Sequence, residues 1–242
     1  MSGKLHGGWR HGYTVLELLL VTGILCLLLM IAFGTGSKLL ELSRRAKCAG
    51  NLRQIGILMQ SYLADHRYEY PPGVYQARDE NGNTVGQAYG WAWYLAQYHE
   101  MKDFRCFICP AIPPENVQPG LLKNLGINGY ISYAVNRYGV CAGITAKHLS
   151  AFQTSMPEPS KIIFALDYDA PNQPYDGWYR ASRDDVNTNW DAFSKRHSGA
   201  VNVLYCDGHV ETGRDKKAVM GSDRRQYPWA EEQYIRLNDQ AK

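Results

Sequence analysis

The sequence predicts an α+β protein in which one long N-terminal helix precedes a smaller head built on an antiparallel β-sheet. Three observations lead to this prediction. An apolar run extends from Val15 to Phe33 and contains a single charged residue, Glu17. A helical pattern of apolar residues then continues towards Pro71. Beyond that proline, short segments rich in β-branched and aromatic residues alternate with turn residues, as in small sheets.

The apolar run is long enough to cross a bilayer, because about 20 apolar residues span the hydrocarbon core as a helix. A secretory signal would have a shorter apolar part and a small-residue cleavage site, and no such site follows Phe33. The run is preceded by residues 1–12, which contain Lys4 and Arg10 but no acidic residue. We therefore expect a cytoplasmic leader at residues 1–12 and a transmembrane segment at residues 13–36.

The pattern after the run predicts that the same helix continues as an amphipathic segment through residues 37–70. Apolar residues recur there every three or four positions, with basic residues between them. The predicted buried face consists of Leu42, Ala46, Ala49, Leu52, Ile55, Met59 and Tyr62. Pro71-Pro72-Gly73 cannot continue a helix, so the result is a helix of roughly 50 residues stabilised by a membrane and a packed head.

Residues 71–242 are predicted to form the α+β head. An aromatic segment, residues 90–98, is expected to be a short helix whose tryptophans belong to the core. Asp207-Gly208 is a two-residue hairpin signal at the end of the last apolar segment. The three predicted strands are Tyr130–Val135, Lys161–Leu166 and Ala200–Cys206.

The charge balance argues against a nucleic-acid partner. The net charge is +3, and the predicted leader accounts for two of these positive charges. The remaining chain is therefore close to neutral and has no strongly basic surface for nucleic acid or anionic lipid.

The segment Gly12-Tyr13-Thr14-Val15-Leu16-Glu17 resembles the cleavage and methylation site of type IV prepilins and type II secretion pseudopilins. The resemblance implies cleavage between Gly12 and Tyr13 by a prepilin peptidase, which also methylates the new N-terminal amine. Tyr13 departs mildly from the family, in which phenylalanine is usual. Glu17 then occupies the fifth position of the mature chain, where the family uses a glutamate in filament assembly.

A carboxylate within a membrane helix is costly and usually has a partner, which supports an assembly role for Glu17. The partner would be the Tyr13 amine of the same chain or of a neighbouring subunit. The alternative is a glutamate near the interface that extends towards the headgroups.

The resemblance implies a pilin-like fold and a structural, non-enzymatic subunit of a type II secretion or type IV pilus-like filament. It places the chain in a bacterial inner membrane as a single-pass protein, with its head in the periplasm or extracytoplasmic space. Lys38, Arg44, Arg45 and Lys47 follow the run, and a charge count would put the head inside; the leader resemblance overrides that count. The implied partners are further subunits, the peptidase/methyltransferase and inner-membrane assembly machinery. The alternative is a membrane-anchored extracytoplasmic binding protein that does not polymerise.

A second signature lies in the head, where His197 is followed by nine residues and then Asp207-Gly208. This H-x9-D-G pattern resembles the C-terminal signature of prepilin-like proteins termed prepilin-type processing-associated. Three further fragments agree with that family: Arg105-Cys106-x-x-Cys109-Pro110, Ser132–Asn136 and Ala165-Leu166-Asp167.

The favoured interpretation of H-x9-D-G is structural, with Asp207-Gly208 forming a turn and His197 capping the start of a strand. The alternative is a metal site formed by His197, Asp207 and His209, which combine imidazole and carboxylate ligands. No motif places a serine or cysteine nucleophile beside His197, so catalysis is not predicted.

Six cysteines occur in the chain, and Cys106 and Cys109 are close enough in sequence to pair. A local disulfide between them is the favoured interpretation in an extracytoplasmic head. A zinc site would require a second ligand pair, and no spacing identifies one.

One polar segment resembles the first half of a calcium loop, with alternating oxygen ligands at Asp185, Asn187, Asn189 and Asp191. Trp190 stands where the loop needs glycine, and Arg196 where it needs glutamate, so an EF-hand is excluded. A solvated polar loop is favoured, and weak calcium binding is the alternative. No other cofactor is predicted.

Overall fold

The computed structural model describes residues 13–75, 89–112, 131–136, 140–141, 153–168, 180–181, 183–194, 196–221 and 228–229. The chain divides into two compact units, Met1–Glu41 and Leu42–Lys242. The leader, including Gly12, lies outside the described residues.

The long helix predicted from the sequence is present as α1, Val15–Asp65, with 51 residues. Its first turn is closed by a capping box, in which Thr14 and Glu17 satisfy each other's backbone groups. The Glu17 backbone N–H donates to Thr14 Oγ1 at 3.2 Å, and the Thr14 N–H donates to Glu17 Oε2 at 2.8 Å. Within the described residues, no helix combines the length and the apolar character that a bilayer crossing requires.

The end of α1 differs from the sequence prediction, because the helix stops at Asp65, well before Pro71. Arg67 and Tyr68 adopt positive φ angles of 54° and 63°, and the Tyr68 N–H donates to the Leu63 carbonyl at 2.7 Å. A left-handed turn of this kind satisfies the last carbonyls of a helix and redirects the chain.

The second half of α1 buries one face in the head, as the apolar spacing predicted. Ala49, Leu52, Ile55, Met59 and Tyr62 are all buried. The predicted face extends too far towards the N-terminus, because Leu42 and Ala46 are exposed. Burial begins at Cys48, which the apolar pattern did not include.

The core of the head is a five-stranded sheet. Its strands are β3 Tyr133–Asn136, β4 Ile163–Asp167, β5 Arg180–Ala181, β6 Val201–Tyr205 and β7 Val210–Gly213. Their order is β5-β3-β4-β6-β7, with antiparallel pairing except for the parallel pair β3–β5. Three of them, β3, β4 and β6, lie close to the predicted segments, and all residues of β3 and of the middle strand β4 are buried.

Shorter elements complete the described head. A two-stranded sheet pairs β1, Val74–Tyr75, with β2, Tyr89–Gly90. The predicted aromatic helix is α2, Trp91–Tyr98, and Trp91 is fully buried in the core. Three single-turn helices follow, namely α3 Arg183–Thr188, α4 Trp190–Ser194 and α5 Lys216–Met220.

The β6–β7 hairpin packs its turn against α1. The turn has three residues, Cys206–Gly208, rather than the predicted two, because Tyr205 and His209 form the closing backbone pair. Gly208 has φ +96°, a conformation that favours glycine. A Cβ added to Gly56 of α1 would lie 3.1 Å from the Gly208 carbonyl oxygen, so helix and turn are in close contact.

Candidate functional site

Four side chains of the head converge in the core to form what we call the Cys–His–Asp cluster: Cys48, Cys109, Asp167 and His197. The two sulfur atoms and a ring nitrogen of His197 all lie within 4.8 Å of one another. His197 Nε2 lies 3.4 Å from Cys109 Sγ and 3.6 Å from Asp167 Oδ2. The Cys48 thiol donates to Asp167 Oδ1 at 3.0 Å.

Helix α1 and the loop after α2 supply the two cysteines. Cys48 is the first buried residue on the inner face of α1. One turn later, Asn51 Nδ2 donates to the Ile108 carbonyl at 2.9 Å and ties the loop to the helix. The Cys109 backbone N–H in turn donates to Ser132 Oγ at 2.8 Å. These bonds fix the Cys109 sulfur opposite Cys48.

The sheet supplies the aspartate and the histidine. Asp167 is the last residue of β4, and its Oδ2 accepts the backbone N–H of Asn202 on β6 at 2.7 Å. Tyr133, its partner on β3, places its hydroxyl 3.2 Å from Cys48 Sγ. His197 precedes β6 and forms a bridge with Ala200. Pairing of the neighbouring inner strands β3, β4 and β6 therefore brings these side chains together at one end of those strands.

The electrostatics of the cluster favour charge separation between its members. Hydrogen bonding with the Cys48 thiol and with His197, together with the charge of Arg196, overcomes burial and lowers the pKa of Cys109 to about 4. Burial alone would lower the pKa of His197, but the Cys109 hydrogen bond and the Asp167 charge raise it. The two shifts have the same physical cause, since the hydrogen bond between Cys109 and His197 stabilises the charged form of each side chain.

The remaining two members respond mainly to burial. Burial raises the pKa of the Cys48 thiol well above its usual value, and its contacts with Cys109 and Asp167 add to this effect. Burial also raises the pKa of Asp167, although the charges of Arg196 and His197 partly oppose the shift. Arg196 itself is held by its Nη2, which donates to the carbonyls of Ser132, at 2.7 Å, and Tyr168.

The chemistry open to this cluster is limited by its burial. Cys48, Cys109 and Asp167 have no exposed surface, and His197 is 1 % exposed. A thiolate beside an imidazolium is the arrangement of a cysteine nucleophile, but an external substrate cannot reach it in this structure. Thiolates, imidazole and carboxylate are also the residue types that bind zinc and related transition metals.

The H-x9-D-G signature is divided between two places in the fold. His197 belongs to the cluster at the start of β6, whereas Asp207 and Gly208 lie in the turn that follows the end of β6. The structure does not assemble the alternative metal site of His197, Asp207 and His209, because β6 separates the first residue from the other two. Asp207 Oδ1 instead lies 2.6 Å from His209 Nδ1. Asp207 and Gly208 lie in the turn between β6 and β7, which has three residues rather than the predicted two, and Gly208 lies close to α1 at Gly56.

Two further interpretations of the head concern the Cys106–Cys109 pair and the polar segment around residues 185–191. Cys106 and Cys109 are both free thiols, so the expected local disulfide is not formed in this structure. Cys109 turns towards His197 instead. Residues 183–188 and 190–194 are helical. The backbone of Asp185, Asn187 and Asp191 is therefore helical, in place of the extended loop that the calcium alternative assumed, and Asn189 lies between the two helices.

The sequence analysis identified His197 and Cys109 separately and did not predict that they are in contact. The available evidence for that contact was the set of sequence fragments that agree with the processing-associated family. Cys109, Ser132 with Tyr133, Asp167 and His197 each come from a different one of those fragments, and the structure brings all of them together. Cys48 lay outside the fragments, and a cysteine among apolar positions of an amphipathic helix gives no separate signal.

Of the predicted processing and assembly residues, Tyr13 and Glu17 are described and both are exposed at the start of α1. Tyr13 precedes the capping box, and Glu17 forms part of it. Gly12 lies outside the described residues.

Comparison with known proteins gives one match. A family model described as a protein of unknown function, DUF1559, matches residues 40–118, about a third of the chain. The match begins in the C-terminal half of α1 and includes both Cys48 and Cys109. No curated protein and no solved structure matches the chain.

Proposed function

We propose that this chain is a pseudopilin-like structural subunit of a type II secretion or type IV pilus-like filament. In this proposal, prepilin peptidase removes residues 1–12, the first half of α1 anchors the mature chain in the inner membrane, and the head lies outside the cytoplasm. The filament forms when the N-terminal halves of neighbouring α1 helices pack together.

The observation that carries the proposal is the apolar surface of α1 directly after the Gly12–Glu17 motif. From Val15 to Ile31, thirteen large apolar side chains are each 50–77 % exposed. A surface of this kind marks a contact with lipid or with other protein. A helix apolar on all sides is suited to lipid before assembly and to a bundle of like helices afterwards.

The second half of α1 supports the proposal because it connects the apolar segment to the folded head. From Cys48 onwards the helix supplies core residues to the head, so one continuous element joins the apolar segment to a folded domain. A subunit needs this continuity, because the head is carried into the filament by its helix.

The intact mass of the chain extracted from its native membranes tests the first step of the proposal. We expect a mass that lacks residues 1–12 and carries one additional methyl group on Tyr13. Gly12→Val should retain the leader, whereas the control Gly8→Val should be processed as the parent is. A mature chain that still contains residues 1–12, or that has been cut near residues 34–37, would contradict the proposal.

A further inference from the structure

We propose that the Cys–His–Asp cluster binds a zinc ion, with Cys48 Sγ, Cys109 Sγ, His197 Nε2 and the Asp167 carboxylate as its ligands. The ion would be structural, and the inference does not depend on the filament proposal. It rests on the types, distances and burial of the four side chains.

The two separations from His197 Nε2 match the edges of a tetrahedral zinc site, and the ligand atoms of Cys48, Cys109 and His197 all lie within 4.8 Å of one another. With Zn–S near 2.3 Å and Zn–N and Zn–O near 2.0–2.2 Å, the edges of the tetrahedron are about 3.4–3.8 Å long. His197 Nε2 lies 3.4 Å from Cys109 Sγ and 3.6 Å from Asp167 Oδ2. Cys48 Sγ lies 3.0 Å from Asp167 Oδ1, which is shorter than a tetrahedral edge. The two atoms must move apart by about half an ångström, and the hydrogen bond between them is then replaced by a bond from each atom to the metal.

The charges around the cluster also suit a divalent cation. With a metal bound, Cys48 and Cys109 would both be thiolates, and together with the Asp167 carboxylate they would carry three negative charges in a fully buried position, which is costly without compensation. A zinc ion and the neighbouring Arg196 guanidinium together neutralise them. Arg196 is already oriented there through the carbonyls of Ser132 and Tyr168.

Supporting groups orient the ligands in the way that metal sites require. Asp167 Oδ2 accepts the Asn202 backbone N–H, and the Tyr133 hydroxyl contacts Cys48 Sγ. Such outer contacts fix ligand orientation and affect metal affinity. The four ligands come from α1, the loop after α2, β4 and the start of β6. A closed site of this kind would join the helix to the sheet and act structurally, as buried four-ligand zinc sites do.

The competing outcome is a Cys48–Cys109 disulfide, because the two sulfurs are neighbours and the proposed compartment permits oxidation. A disulfide would use only the sulfurs. It would leave His197 paired only with Asp167, at 3.6 Å. A metal ion instead accounts for the convergence of all four side chains, which is why we favour it.

The test is the zinc content of the full-length chain, extracted in detergent from its native membranes without chelators and measured by elemental analysis and native mass spectrometry. We expect one zinc ion per chain. Cys109→Ser and His197→Gln should abolish it, and Cys106→Ser should retain it, because Cys106 is a buried thiol outside the cluster. Tyr133→Phe should bind zinc about 10- to 100-fold more weakly, through loss of an outer contact.

A second measurement uses the unmodified chain and does not depend on how the variants fold. Cobalt exchanged into the site should give thiolate-to-cobalt charge-transfer bands and the visible absorption of tetrahedral cobalt. The proposal is overturned if the parent chain contains no zinc and takes up no cobalt. It is equally overturned if peptide mapping without reductant shows a Cys48–Cys109 disulfide in the folded protein.

Discussion

Gly56 is a residue of α1 that lies in close contact with the β6–β7 hairpin. A Cβ at this position would lie 3.0 Å from Leu204 Cδ1 and 3.1 Å from the Gly208 carbonyl oxygen. The turn that contains this carbonyl is held in place, because three donors bond to the Cys206 carbonyl two residues earlier: Gln60 Nε2, Tyr70 Oη and Gln153 Nε2. The Asp207-Gly208 part of the H-x9-D-G signature thus acts by packing the turn on α1.

We therefore expect Gly56→Ala to destabilise the head. Glycine to alanine in a helix normally stabilises by roughly 0.5–1 kcal/mol, and Gly50→Ala should do so because nothing lies within 4 Å of its Cβ position. At Gly56 the added methyl overpacks the interface, at a cost of about 1–3 kcal/mol. Thermal unfolding of the full chain in detergent, followed by near-ultraviolet circular dichroism, measures both variants.

The interpretation of the Gly56 contact fails if Gly56→Ala is as stable as Gly50→Ala. Both variants keep the same helix and differ only in what the methyl group meets, so helix propensity cancels in the comparison.

Helix α1 contains two parts with different surroundings. The first part is capped by Thr14 and Glu17 and exposes its apolar side chains, whereas the second part supplies core residues to the head. The capping box gives Glu17 a local partner within its own chain. An assembly role for Glu17 must therefore be distinguished from its role in starting the helix.

The second part of α1 provides a paired test of burial. Ile55 is fully buried and Ile57, two positions away, is 71 % exposed. Ile55→Ala should reduce the free energy of unfolding of the head by about 2–5 kcal/mol, because it leaves a cavity. Ile57→Ala should change it by less than about 0.5 kcal/mol. Denaturant unfolding of the full chain measures the difference, and equal effects would contradict the assigned orientation of the helix.

At the scale of the whole molecule, periodicity predicted the elements well. The apolar spacing identified the length of α1 and the buried face from Ala49 to Tyr62, and the β-branched segments identified β3, β4 and β6. The end of α1 was misplaced, because the turn at Arg67 and Tyr68 uses non-glycine residues at positive φ. Arginine and tyrosine do not mark the end of a helix in a sequence, whereas a proline such as Pro71 does.

The site could be predicted only in part, because its residues are joined by tertiary contacts. His197 and Cys109 were visible as motif members, but their partnership depends on strand pairing and on the tie between Asn51 and the Cys109 loop. The number of residues between Cys109 and His197 in the sequence does not reveal these tertiary contacts. The calcium alternative depended in the same way on backbone conformation, since it assumed an extended loop and residues 183–188 are helical.

The central claim is that the subunits assemble through α1 and that Glu17 directs this assembly. Cys26 is the only exposed cysteine of the chain, so a bismaleimide reports contacts between neighbouring α1 helices. The proposal predicts cross-linked dimers for the parent in native membranes that contain the assembly machinery. Dimers should persist in Thr14→Ala, which breaks the cap but keeps the carboxylate, and in the control Glu41→Ala.

Glu17→Ala should leave the chain processed and its head folded but abolish the Cys26 cross-link, because the carboxylate that pairs with a neighbouring amine is gone. Measuring this cross-link in the parent and in Glu17→Ala is the most direct test of the filament proposal. Loss of the dimer in Glu17→Ala alone is the predicted result. Equal cross-linking in both chains, or none in the parent, would contradict the proposal and favour a membrane-anchored protein that does not polymerise.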